Sequence, residues 1–138
     1  MNIDPERGRI VPLGGYALRV DVDGANRLQV TAVIPDDAHA LRLADTLGFH
    51  LGEDLSSIAD VLEAIDAVLE GRASSVHTGL NDLLVQVGER DVRLVDEARD
   101  RVRTGEIEGL GYTHEAVRDA LVRWRNIVVE KRSAKRDG

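Results

Sequence analysis

The sequence predicts an α+β fold: an antiparallel sheet built from two β-hairpins, with two main amphipathic helices packed on it. Three observations carry this. Apolar and polar residues alternate over 16–22 and 27–34, and again over 83–87 and 92–94, the period of a half-buried strand. Apolar stripes at helical spacing occupy 54–70 and 113–131. Of 138 residues, 43% are hydrophobic and 31% charged, which suits one core under a solvated surface and a single domain over 1–138.

The elements follow in order. Residues 1–8 are polar and read as a frayed end; Arg9–Leu13 is a short edge strand limited by Pro12. Gly14-Gly15 breaks the chain before Tyr16, Leu18, Val20 and Val22 alternate with Ala17, Arg19 and Asp21. Asp23-Gly24-Ala25-Asn26 supplies a turn, after which Leu28, Val30, Ala32 and Ile34 alternate, completing a hairpin. Asp36 or Asp37 can cap a short helix containing Leu41, Leu43, Ala44 and Leu47, ended by Gly48. Leu55, Ile58, Leu62, Ile65 and Leu69 form one stripe of a longer helix, with Gly71 just past its end. A strand near 75–78 precedes the second hairpin, which turns at Gly88-Glu89-Arg90. Residues 97–111 contain Gly105, Gly109 and Gly111 and resist assignment; a connection of that length in a compact domain is often functional. Thr113 caps the last helix, whose stripe is Val117, Ala120, Leu121, Trp124 and Val128, and residues 133–138 read as a second frayed end.

Charge is distributed unevenly. The chain carries −7. Residues 123–138 set Arg123, Arg125, Lys131, Arg132, Lys135 and Arg136 against Glu130 and Asp137, a net +4, so the remainder carries −11. Nonspecific nucleic-acid binding requires many cations on phosphates, so no nucleic-acid partner is expected, and the basic tail reads as a helix end favoured by the macrodipole. No apolar run approaches the roughly 20 residues of a spanning helix, and none of the first residues forms an apolar leader core, so no membrane partner and a cytoplasmic address are expected. With no cysteine, disulfides and thiolate metal sites are excluded.

Little in the sequence suggests bond-making. His39, His50, His77 and His114 have no ligand spacing and read as surface histidines at turns and helix starts, so no metal or cofactor is expected. Ser56-Ser57 and Ser74-Ser75 fit capping and turn roles, and neither glycine cluster has the context of a phosphate loop. Asp36/Asp37, Glu53/Asp54, Asp96/Glu97 and Glu106/Glu108 read as solvated carboxylate pairs. Together they make a surface that repels nucleic acid and attracts a basic protein. Trp124, on the apolar stripe, is expected in the core with its indole N–H engaged.

One stretch is familiar in its order of elements. Val61-Leu62-Glu63-Ala64-Ile65-Asp66-Ala67-Val68-Leu69-Glu70-Gly71 is a helix closing on glycine. His77-Thr78-Gly79-Leu80-Asn81-Asp82-Leu83-Leu84-Val85-Gln86-Val87 and Glu89-Arg90-Asp91-Val92-Arg93-Leu94 follow, and a helix carrying Trp124 closes the pattern after a variable insert. Over roughly residues 55–130 this resembles small bacterial immunity proteins of the contact-dependent growth inhibition type and the related YacL-like proteins. It departs from them at Leu80, inserted where their pattern runs directly from Gly to Asn. The resemblance implies binding and neutralisation of a cognate toxin domain, often a nuclease with a basic surface, and no enzymatic activity.

The leading expectation is therefore an immunity protein acting by direct protein–protein contact. Asp82, Glu89, Asp91, Asp96, Glu97, Glu106 and Glu108, on the second hairpin and the connection after it, are the expected toxin-binding carboxylates. A homodimeric structural or interaction protein without a toxin partner is the alternative, and monomer or homodimer is left open. A third reading, a small-ligand binder or enzyme, would start from His50, His77 and Asp82.

Overall fold

The computed structural model describes residues 9–80, 83–96 and 110–137. Within them the α+β class and the antiparallel pairing are both present. The hairpins do not merge into one sheet, however: strands β1 (Arg9–Leu13), β2 (Tyr16–Val22) and β3 (Leu28–Ala32) form a three-stranded sheet, and β4 (Val76–Leu80), β5 (Leu83–Val87), β6 (Val92–Asp96) and β7 (Leu110–Tyr112) a four-stranded one. Within each sheet the strands pair in sequence order.

The turns explain the first sheet. Leu13 pairs with Tyr16, leaving Gly14 and Gly15 as the two central residues, both at positive φ (+63° and +86°). That is the backbone a two-residue hairpin demands and glycine supplies most cheaply. At the next turn Asp23 Oδ1 accepts from the backbone N–H groups of Ala25 and Arg27, both at 2.9 Å, and Asn26 takes φ +60°.

The sheets stay separate because the outer edge of β3 is covered. After α1 (Ala38–Asp45) the chain continues as a π-helix over Thr46–Leu51, where a stop at Gly48 was expected. Gly48 lies so close to β3 that a Cβ there would sit 3.3 Å from the Val30 nitrogen. Just beyond, Glu53 Oε2 accepts the Leu28 N–H at 3.3 Å. A strand edge closed in this way cannot recruit a further strand.

Helix ends are well specified. Asp37 caps α1 by accepting the Ala40 N–H, and Asp54 caps α2 (Leu55–Leu69) through the N–H groups of Ser56 and Ser57. The α2 end pairs Arg72 N–H with Ala67 O at 2.8 Å and Gly71 N–H with Val68 O at 3.1 Å, a glycine-based C-cap in which Gly71 takes φ +77°. Thr113 Oγ1 accepts the Ala116 N–H and opens α3 (His114–Asp137), which runs past the expected limit of 131.

One cluster of buried residues draws from both sheets and all three helices. Trp124 is fully buried, with its indole N–H bonded to Gly52 O as expected. The buried stripe of α2 is Ile58, Val61, Leu62, Ala64 and Ile65, while Leu69, expected inside, is exposed. Cross-links tie the C-terminal helix to the rest: Lys131 Nζ to Glu53 at 2.7 and 2.9 Å, Arg132 to Glu53 O at 2.6 Å, and Arg118 to Asp66 at 2.8 Å. Arg123 pairs with Asp119 one turn away. Arg123, Lys131 and Arg132 of the tail are thus engaged within the molecule. Among the described residues no helix is long and apolar enough to cross a membrane.

Candidate functional site

The expected toxin-binding carboxylates separate into three groups. Asp82, Glu97, Glu106 and Glu108 lie outside the described residues. Glu89 is exposed in the β5–β6 turn and Asp91 is partly exposed beside it. Asp96 corrects the expectation of a solvated pair: it is 7% exposed at the end of β6. The reason is that α1 and the π-helix dock on this end of the strand. Arg42 Nη1 donates to Leu94 O at 2.9 Å, and His50 Nε2 lies 4.0 Å from Asp96 Oδ2. Asp96 therefore belongs to a buried polar junction, not to a solvated surface pair.

The histidines also need correction. His50 and His114 are buried, where a surface position was expected. His114 does stand at a helix start, but its Nε2 lies 2.6 Å from Gly88 O, joining α3 to the β5–β6 turn. His77 is exposed on β4, and Asp82 falls outside the described residues, so the trio of His50, His77 and Asp82 is not seen assembled. Among the described residues no group of three or more His, Cys, Asp or Glu side chains is placed to hold a metal ion.

A recess does form around Asp91. It has a volume of about 420 Å³, opens broadly to solvent, and is lined by Tyr16, Asp37, His39, Arg90, Asp91, Gly111, Tyr112 and Thr113. Four segments meet here: the start of β2, the start of α1, the β5–β6 turn and the junction of β7 with α3. The β6–β7 register sets Arg93 opposite Gly111 and Val92 opposite Tyr112. A Cβ at residue 111 would lie 3.0 Å from Asp91 Oδ2. Glycine at 111 thus leaves the space against which the Asp91 carboxylate rests.

Three rings form the floor. Tyr112 is buried and donates its hydroxyl to His39 O at 2.5 Å. Its ring meets Tyr16 edge-to-face at a centroid distance of 5.9 Å and His39 at 5.2 Å, an arrangement favoured by ring quadrupoles. Burial, and then the neighbouring Tyr16 hydroxyl, hold the Tyr112 hydroxyl well above the ordinary tyrosine range. The Tyr16 hydroxyl is also raised, by burial and by the nearby Asp37 carboxylate. Both therefore remain neutral donors at physiological pH.

The carboxylates are only partly used. Asp37 Oδ1 accepts the Ala40 N–H at 3.1 Å, and its Oδ2 has no hydrogen bond among the described residues. Asp91 Oδ2 faces Arg93 Nε at a loose 3.6 Å. The arrangement offers aromatic faces, a tyrosine hydroxyl and carboxylate oxygens to a group arriving from solvent.

Sequence reading found Asp91 but missed the rest of the recess. Tyr16 reads as a lone aromatic on a strand, and Tyr112 lies just past the 97–111 stretch that resists assignment. The usable signal was the Leu110–Tyr112 segment directly before the Thr113 cap, a short apolar entry to a helix. Comparison of the chain with protein-family models, with curated proteins and with solved structures finds no match.

Proposed function

We propose that the protein binds and neutralises a cognate toxin domain by direct protein–protein contact, the toxin being one that uses a basic surface, such as a nuclease. The observation that carries this reading is the recess in which Asp37 and Asp91, from different halves of the chain, stand with spare oxygen atoms over a tyrosine floor. Tyrosine-lined, solvent-open recesses with acidic walls suit anchor side chains of a basic partner. The −11 carried by residues 1–122 would speed encounter with such a partner and disfavour nucleic acid. Glu89 is exposed on the adjacent β5–β6 turn.

The test is co-expression with toxin domains encoded immediately upstream of the gene. Restored growth together with a co-purifying complex is the expected result; absence of both for every such domain would overturn the reading.

A second reading, a homodimeric interaction protein, is favoured by one feature. Phe49 is 76% exposed on the π-helix and lines a cleft of about 370 Å³ with Ala44, Gly48 and Leu28, Gln29 and Val30 at the start of β3. A ring beside a hollow can be self-complementary across a two-fold axis. Light scattering at low concentration separates the readings: a dimer mass abolished by Phe49→Ser supports the second.

A further inference from the structure

We propose that the recess between β2, α1 and the β6–β7 edge binds a guanidinium group, supplied as the side chain of an arginine on the partner protein. That the arginine comes from a toxin rests on the reading above; the ligand chemistry stands on the recess alone.

The argument begins with what is unspent. Asp37 Oδ2 and the Tyr16 hydroxyl make no hydrogen bond among the described residues, and Asp91 has only a long contact with Arg93. These groups come from segments far apart in sequence, and the fold brings them to one hollow of about 420 Å³. Guanidinium is the cation that uses such a set best. It is planar, donates in fixed directions to carboxylate and phenol oxygens, and stacks on aromatic faces. The half-buried Tyr16 ring, steadied edge-on by Tyr112, provides such a face.

Two features could favour an anion instead, and both are answered locally. The helices α1 and α3 begin here, but Asp37 and Thr113 already accept N–H groups of their first turns. Arg90 lines the recess, exposed and with no ion pair among the described residues. It lowers the recess's attraction for a cation, so its removal is itself informative.

The experiment uses the full chain, ¹⁵N-labelled, titrated at low salt with N-acetyl-arginine amide, N-acetyl-citrulline amide and inorganic phosphate. The expected result is chemical-shift change centred on Tyr16, Asp37, Asp91 and Gly111 with the arginine amide, weakened by added salt, and little with citrulline or phosphate. Asp37→Asn keeps a competent helix cap while removing the charge; with Asp91→Asn it should weaken binding by about tenfold or more. Arg90→Gln should tighten it. Shifts scattered over the acidic surface, shifts indifferent to these variants in a protein with an unchanged melting curve, or a response to phosphate in place of arginine would each overturn the proposal. Because the readout needs no toxin, its failure is separable from failure of toxin rescue.

Discussion

The indole N–H of Trp124 donates to the carbonyl oxygen of Gly52 at 2.8 Å. Gly52, at φ +56°, ends the π-helix and stands two residues before the Asp54 cap of α2. This bond joins α3 to the turn between the other helical segments, beside the Lys131 and Arg132 bonds to Glu53. Trp124→Phe removes the donor, leaves Gly52 O short of a partner, and opens space in a fully buried site. The expected cost is about 2 kcal/mol, below the roughly 3–5 kcal/mol of a large-to-Ala change. Urea unfolding followed by far-UV circular dichroism measures it. An unchanged midpoint would show that the bond anchors nothing.

Gly14 and Gly15 share a turn and a positive φ but differ in surroundings. A Cβ on Gly14 would fall inside van der Waals contact of the Ala116 carbonyl oxygen, and the Gly14 N–H is bonded to Asp119 Oδ2 at 2.9 Å. At Gly15 a Cβ meets nothing within 4 Å. Gly15→Ala should cost about 1 kcal/mol of left-handed strain. Gly14→Ala adds a clash with helix backbone and should cost about 3 kcal/mol or more. Equal thermal shifts for the two variants would mean that α3 does not sit on this turn as described.

Acid stability should depend on Asp54. Its carboxyl is held below the ordinary range, first by the Ser57 hydroxyl and then by the Ser57 and Ser56 N–H groups. A folded-state value below the unfolded one means that the unfolded chain takes up the proton first as pH falls. The contribution is therefore fully present above the unfolded value of about 3.9 and is lost as pH drops through the folded one. Asp23 is lowered in the same direction by the Arg27 and Ala25 N–H groups. Asp54→Asn, which keeps a capping oxygen, should flatten the stability-versus-pH curve below about pH 4 relative to wild type. A curve of unchanged steepness would remove Asp54 from the acid limb.

Local rules made much of this fold readable. Strand alternation placed both hairpins, and the cap residues Asp37 and Thr113 and the C′ glycine Gly71 marked helix ends, because each acts through hydrogen bonds within a few residues. What stayed hidden depends on distant partners. Asp96 looks like half of a solvated pair until α1 and the π-helix are laid across β6. Gly48 looks like a helix stop until β3 is seen to need a side chain without a Cβ beside it. Tyr16 and Tyr112 lie 96 positions apart in sequence, and only the two sheets together bring their rings to 5.9 Å. Alternation specified the strands but not how they divide into sheets, since the covering of β3's edge is a tertiary event.

The π-helix provides a paired test of exposure against close packing. Phe49 spends most of its surface on solvent, touching His50 edge-to-face at 5.0 Å, so little of its apolar area contributes to folding. Phe49→Ser should change stability by no more than about 0.5 kcal/mol. Its neighbour Gly48 is the opposite case: a Cβ would lie 3.3 Å from Val30 N and 3.5 Å from the Val30 side chain. Gly48→Ala must push the helix off β3 by a few tenths of an ångström and should cost about 1–3 kcal/mol, despite alanine's better helix propensity. Denaturant titration of both variants decides the matter. A stabilised Gly48→Ala would show that the π-helix is not seated against β3, and a strongly destabilised Phe49→Ser would show that its ring is covered in solution, by a second copy if the loss depends on protein concentration.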